Sequence, residues 1–227
     1  LKKGEFATKL GQIKPSGTDW CAQLPAGRPV FLMAGETPKS LMPGLLEFSK
    51  KTMLAMSGIY GMDEDQIQQL IEDSKPLMEK TAGMAFLMAV SKNEDAPLYA
   101  GAGGILKVDG GAEQYIDDYA ELVTKMLEGL KKPSGDAMFR FTAPKKIEVD
   151  GKPGVRFIVE IDLSIGADDS EQQQMIDQMM SKMYGPDGKL KIFLVAANND
   201  TVAFGYTSRA TVKRFVAAAN GEVPRTL

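Results

Sequence analysis

Four methionines, Met175, Met179, Met180 and Met183, recur at helical spacing in one stretch of this chain, and no other clustering of side chains suggests a chemistry so directly. Thioethers are soft ligands for Cu(I). They are also pliable apolar groups that fill irregular gaps in a core or line an adaptable groove. A copper site commonly draws on a nearby histidine or cysteine, and the chain has no histidine and a single cysteine. Metal is therefore not expected, and neither is any other cofactor. Met53 and Met56 join the stripe as candidate lining of a groove for an apolar ligand or a partner. The competing expectation is that the methionine helix packs its stripe on a sheet.

The missing histidine removes several chemistries together: Ser-His-Asp and Cys-His nucleophiles, His-bound zinc and the HEXXH metalloproteases. Carboxylate, lysine, tyrosine or lone-cysteine chemistry remains. Asp117-Asp118 and Asp168-Asp169 are adjacent acids, and neighbours on a helix point apart, so neither pair forms a proton-sharing dyad alone. Asp63-Glu64-Asp65 lacks the pattern of a calcium loop. Gly101, Gly103 and Gly104 are followed by Ile105-Leu106-Lys107-Val108, which continues as a strand. A phosphate loop needs a helix there, so close backbone approach or a sheet bend is the better account. Asn199-Asp200-Thr201 fits a glycosylation sequon at a hairpin tip. Catalytic residues are not assigned.

The elements that would position these residues are legible. Phe31-Leu32-Met33-Ala34, Phe86-Leu87-Met88-Ala89 and Phe193-Leu194-Val195-Ala196 repeat one apolar phrase, expected as central strands buried on both faces. The second and third each open a strand-turn-strand-helix unit: Met84 to Val90, a turn, Leu98 to Val108 and a helix; then Leu190 to Ala197, a turn, Thr201 to Tyr206 and a helix capped by Ser208. Alternation over Phe139, Phe141, Ile147 and Val149, returning as Val155 to Leu163, predicts a hairpin with one dry face. Helices are expected over Pro43 to Met56, over Asp63 to Lys80 with a kink or early end at Pro76, over Tyr115 to Leu130, after Ser170 in a capping box with Gln173, and around Val212 to Ala219 closed by Asn220-Gly221.

The fold class that follows is α+β: a largely antiparallel sheet of about six or seven strands, helices mainly on one face, built from repeated strand-turn-strand-helix units. A chain of 227 residues buries about 70% of its unfolded surface and needs no disulfide. The expected division is an extended segment 1–23, one domain 24–222 with possible halves 24–132 and 133–222, and a tail 223–227. Trp20 and Cys21 should begin the core as a buried, inert pair. A formal charge of −3 argues against nucleic acid as a partner, and no apolar run reaches the ~20 residues of a membrane span. The chain starts at Leu1, so a signal peptide or a longer N-terminal region is expected before it.

Leu24-Pro25 leads into the first apolar phrase, and Asp200 to Tyr206 is followed by Thr207-Ser208-Arg209-Ala210-Thr211-Val212 and Asn220-Gly221. By pattern, residues 24 to 222 resemble uncharacterised domains of exported bacterial proteins. That resemblance implies an extracytoplasmic, periplasmic setting and carries no activity. Three readings follow: a non-catalytic binding or structural protein, a carrier of an apolar or lipid-like ligand in the methionine groove, and an enzyme using carboxylates or lysines. A polar cleft holding two strongly shifted ionisable groups would favour the enzyme.

Overall fold

The computed structural model describes residues 20–55, 57, 62–89, 93, 95–129, 139–161 and 170–222. Its strands are β1 (Pro29–Glu36), β2 (Thr81–Ala89), β3 (Ala102–Val108), β4 (Phe139–Phe141), β5 (Lys145–Val149), β6 (Lys152–Ile161), β7 (Leu190–Asn198) and β8 (Thr201–Tyr206). Its helices are α1 (Met42–Ala55), α2 (Glu64–Lys80), α3 (Ala112–Gly129), α4 (Ser170–Tyr184) and α5 (Arg209–Ala219). One sheet of eight strands runs β1-β2-β3-β8-β7-β6-β4, with β5 also on β6. Every neighbouring pair is antiparallel. The α+β class and antiparallel sheet are as the sequence predicts. The expected single strand after Phe139 is two short ones, since Pro144 cannot donate to a ladder. Thr142 bridges the gap: its N–H donates to the Ile158 carbonyl at 2.9 Å and its hydroxyl accepts from the Ile158 N–H at 3.0 Å.

The two repeated units meet at the centre, where β3 lies beside β8 with Gly103 opposite Gly205. Their helices take opposite faces. Val212, Phe215 and Val216 of α5 pack on Leu87, Ile105, Phe193, Val195 and Ala203, together with Trp20 and Leu24. Ala112, Tyr115 and Ile116 of α3 pack on Val155, Phe157, Leu194, Ala196, Val202 and Phe204, with Leu77 of α2. Most helical length is on this second face: α2 lies against α3, and α1 against α2. A Cβ on Gly103 would stand 2.5 Å from the Phe215 ring, and one on Gly205 would be 2.8 Å from the Val212 nitrogen. The predicted close approach is thus that of α5 to the central strands.

Local chemistry fixes the helix ends. Asp63 caps α2, accepting the Gln66 N–H at 2.8 Å while the Gln66 side chain accepts the Asp63 N–H at 2.9 Å. The helix runs through Pro76 to Lys80. Pro76 and Glu72, whose carbonyl loses its donor, are both exposed, so water can satisfy it. Ser208 caps α5 by accepting the Thr211 N–H at 3.2 Å. Gly221, at φ +74, ends it: its N–H donates to Ala218 and that of Glu222 to Ala217. At the start of α3, Gly110 and Gly111 have φ of +87 and +101 and turn the chain from β3 so that the Ala112 N–H meets the Asn199 carbonyl at 2.8 Å.

Three expectations are corrected. Leu98 to Gly101 is a 3-10 turn, so the strand begins at Ala102. Trp20 is buried, but Cys21 beside it is only half-buried. The first apolar phrase forms the sheet edge and is open to solvent: Val30 is 62% exposed, Phe31 52%, Leu32 38% and Met33 44%. Its composition matches that of a central strand, but α1 after it packs on α2 and leaves β1 open.

Candidate functional site

The methionine helix divides into two rows. Ile176, Met180 and Tyr184 are four residues apart and face inward, with Met180 6% exposed and Tyr184 9%. They seat α4 beside the 98–101 turn, where the Tyr184 ring lies 5.2 Å from that of Tyr99. Met175 and Met179 belong to the next row, turned outward by the helical step, and are 72% and 43% exposed. The expectation that the whole stripe packs on the sheet is therefore wrong for these two. Met183 is half-buried. Met53 is half-buried on α1, which packs on α2, and Met56 lies outside the described residues. Ser170 is itself the first residue of α4, and residues 162–169 before it, Asp168 and Asp169 included, lie outside the described residues.

What Met180 and Ile176 face is an open, charged cleft of about 460 Å³ between α4 and the strand ends of β4 and β6. Arg140, Glu160, Asp177, Asp187 and Lys189 line it. Lys189 Nζ donates to Glu160 at 2.6 Å, Lys191 Nζ to Asp187 at 2.6 Å, and Gln173 to Asp177 at 2.9 Å. The hydrogen bond to Glu160 and its charge raise the Lys189 pKa. Burial acts to raise that of Asp187, but the Lys191 hydrogen bond and charge outweigh it and hold the carboxyl below its usual value. Both shifts favour the charged forms and move away from neutrality, the reverse of what an acid or base working near pH 7 needs. Among the described residues, no three acidic or cysteine side chains gather as a metal site.

A smaller apolar hollow of about 130 Å³ lies between α2 and α3, lined by Met62, Leu70, Leu122 and Met126 with Gln66 and Lys125. It is well under the ~300 Å³ of an ordinary small-molecule pocket. Sequence reasoning placed Leu122 and Met126 on the buried side of α3 and did not bring Met62 to them.

A run of four consecutive exposed apolar residues, Val30 to Met33, lies elsewhere. Phe31 and Met33 of β1 share a face with Met84, Phe86 and Met88 of β2, because Phe31 is opposite Met88 and Met33 opposite Phe86. On that face α3 covers β6, β7 and β8, while Met84, Phe86 and Met88 stay half-buried. Rings continue inward from the edge: Phe31 to Phe86 at 6.0 Å, Phe86 to Phe204 at 6.2 Å and stacked, and Phe86 to Tyr206 at 6.4 Å. Tyr206 then meets Tyr99 at 5.8 Å. Burial raises the Tyr206 and Tyr184 pKa values, with the Tyr99 phenol adding to both, so Tyr206 and Tyr184 stay neutral well past physiological pH. The sequence carried the signal only as separate aromatic positions in different strands, and nothing in their spacing joins them.

No described helix is long and apolar enough to cross a membrane. Compared with protein-family models, with curated proteins and with solved structures, the chain gives no significant match.

Proposed function

We propose that this protein is a non-catalytic binding protein that engages another polypeptide along β1 and the ring-bearing face beside it. One observation carries the reading: four consecutive large apolar residues, Val30 to Met33, stand exposed on an edge strand. An edge of this kind offers unpaired N–H and C=O groups to an added strand, and natural sheets commonly blunt it with lysine or other charges. Between Pro29 and Gly35 there is none. The charged cleft under α4 supports the same reading from the other side, since the ion pairs of Lys189 and Asp187 there favour the charged form of each. The setting we propose is extracytoplasmic, on the resemblance of the C-terminal hairpin and helix to domains of exported bacterial proteins.

The test is a photoreactive phenylalanine analogue in place of Phe31, in the cells that make the protein, with the same analogue at exposed Glu171 on α4 as control. A discrete adduct from position 31 and none from position 171 is expected, in the extracytoplasmic fraction. No adduct at position 31 under any growth condition overturns the binding reading. A turnover abolished by Glu160→Gln would replace it with the enzyme.

A further inference from the structure

Resting on that reading of the β1 face, we infer that binding there is switched off when a peroxide oxidises Met33 to its sulfoxide. Sulfur and aromatic rings are interleaved on this face: Met33 lies opposite Phe86, Met88 opposite Phe31, and Met84 opposite Gly35. Met33 stands exposed, while Met84 and Met88 are half-buried. Gly35, the next residue of β1 on the same face, widens the approach. A Cβ placed on it would meet no atom of the described residues within 4 Å. An oxidant in solution therefore has an open path to the Met33 thioether. Met42, Met62 and Met180 are buried and have no such path.

The chemistry needs only hydrogen peroxide. A lone pair on the Met33 Sδ attacks one peroxide oxygen, so the S–O bond forms as the O–O bond breaks and hydroxide leaves. That hydroxide takes the proton from the oxygen now on sulfur, and the products are sulfoxide and water. Sulfur loses the two electrons that the peroxide gains. A reductase drawing on two thiols reverses the step, giving the thioether, a disulfide and water. The consequence depends on where the new oxygen sits. A pliable apolar group becomes a polar one whose oxygen requires a hydrogen bond. On the free protein water supplies it, because Met33 is exposed. Under a bound polypeptide the neighbours on this face are Phe31, Met84, Phe86 and Met88, none of which carries a side-chain donor. Burying the unpartnered acceptor there should weaken binding about tenfold or more.

The test uses the full chain carrying the photoreactive analogue at position 31, in an extract of the cells that make it. Hydrogen peroxide is added and then destroyed with catalase before irradiation, and mass spectrometry reads which methionines have gained oxygen. The expected result is sulfoxide at Met33, none at Met42, Met62 or Met180, and an adduct yield reduced about tenfold or more. Sulfoxide reductase with a dithiol should restore the yield. Each variant is then compared with itself before and after peroxide. Met33→Leu keeps an apolar side chain of similar volume, and its yield should not change; damage to the partner would reduce it all the same. Met175→Leu with Met179→Leu, which removes the exposed thioethers of α4, should lose its adduct as the parent does. Met33 left unoxidised, or oxidised with the adduct intact, overturns the switch and leaves the binding reading standing. An equal loss in Met33→Leu overturns Met33 as its seat. No adduct before peroxide overturns the binding reading, and the switch with it.

Discussion

Phe31-Leu32-Met33-Ala34 and Phe193-Leu194-Val195-Ala196 differ at one position, yet the first forms the open edge of the sheet and the second a strand covered on both faces. Phe193 and Val195 lie under α5, and Leu194 and Ala196 under α3. The phrase itself specifies an extended apolar strand in both places. What differs is the sequence around it. β7 turns into β8, whose next residues form α5 and fold back over it. The segment after β1 forms α1, which packs on α2. Coverage is therefore a property of the following helix, and the side chains of Val30 to Met33, which α1 does not fold back over, stay exposed.

The largest effect that can break this comparison comes from truncating the same aromatic in both places. Phe193 is 3% exposed, and Phe193→Ala should cost about 3–5 kcal/mol through lost burial and the cavity left between sheet and α5. Phe31→Ala should cost about 1 kcal/mol, mostly its ring contact with Phe86. Urea unfolding of the two variants measures the difference. Equal losses would mean that β1 is covered in solution.

The sequence made elements legible where one local rule decides them. The capping box expected at Ser170 and Gln173 is found at Asp63 and Gln66, whereas the acidic start of the helix at Asp63, the Ser208 cap, the Gly221 termination and the hairpins follow from residues within four positions of each other. So did the antiparallel sheet, since alternation in β5 and β6 is visible in the chain itself. Strand order was not legible, because apolar strands of similar composition carry no label for edge or centre, and the misplacement of Phe31 to Ala34 follows from that. The methionine stripe failed for a related reason. Met175, Met179, Met180 and Met183 span a wide arc at helical spacing, and periodicity alone does not say which row of that arc faces inward. Tyr99 decided it by meeting Tyr184, a contact across 85 positions that no local pattern announces.

A second pair of substitutions sharpens the contrast within one helix. Met180→Ala should lower stability by about 2–5 kcal/mol, as for any buried methionine. Met179→Ala, one residue away and 43% exposed, should fall within about 0.5 kcal/mol of the parent. Thermal unfolding separates them. If Met179→Ala is the more damaging, α4 is rotated from the orientation described and the Met175 and Met179 row is core after all.

The smallest effect lies on the seam between the open and covered regions. Lys80 ends α2 and runs straight into β2, and its Nζ lies 2.5 Å from Asp118 on α3, the helix that covers β6 to β8. The hydrogen bond from Lys80, then that from Gln114 at 2.7 Å, holds the Asp118 carboxyl below its ordinary value, with slight burial acting the other way. A carboxyl whose pKa is lowered by folding adds stability that is fully present above its unfolded pKa of about 4 and fades as pH falls through the lower folded value. Both side chains are about one-third exposed, so the contribution is screened and modest. Asp118→Asn should lower the melting temperature slightly at pH 7, and the gap from the parent should close as pH drops below about 4. A gap of the same size at pH 3 and pH 7 would show that the charge of Asp118 does not tie the two regions together, and that the packing of Leu77 against the second-face core holds the seam alone.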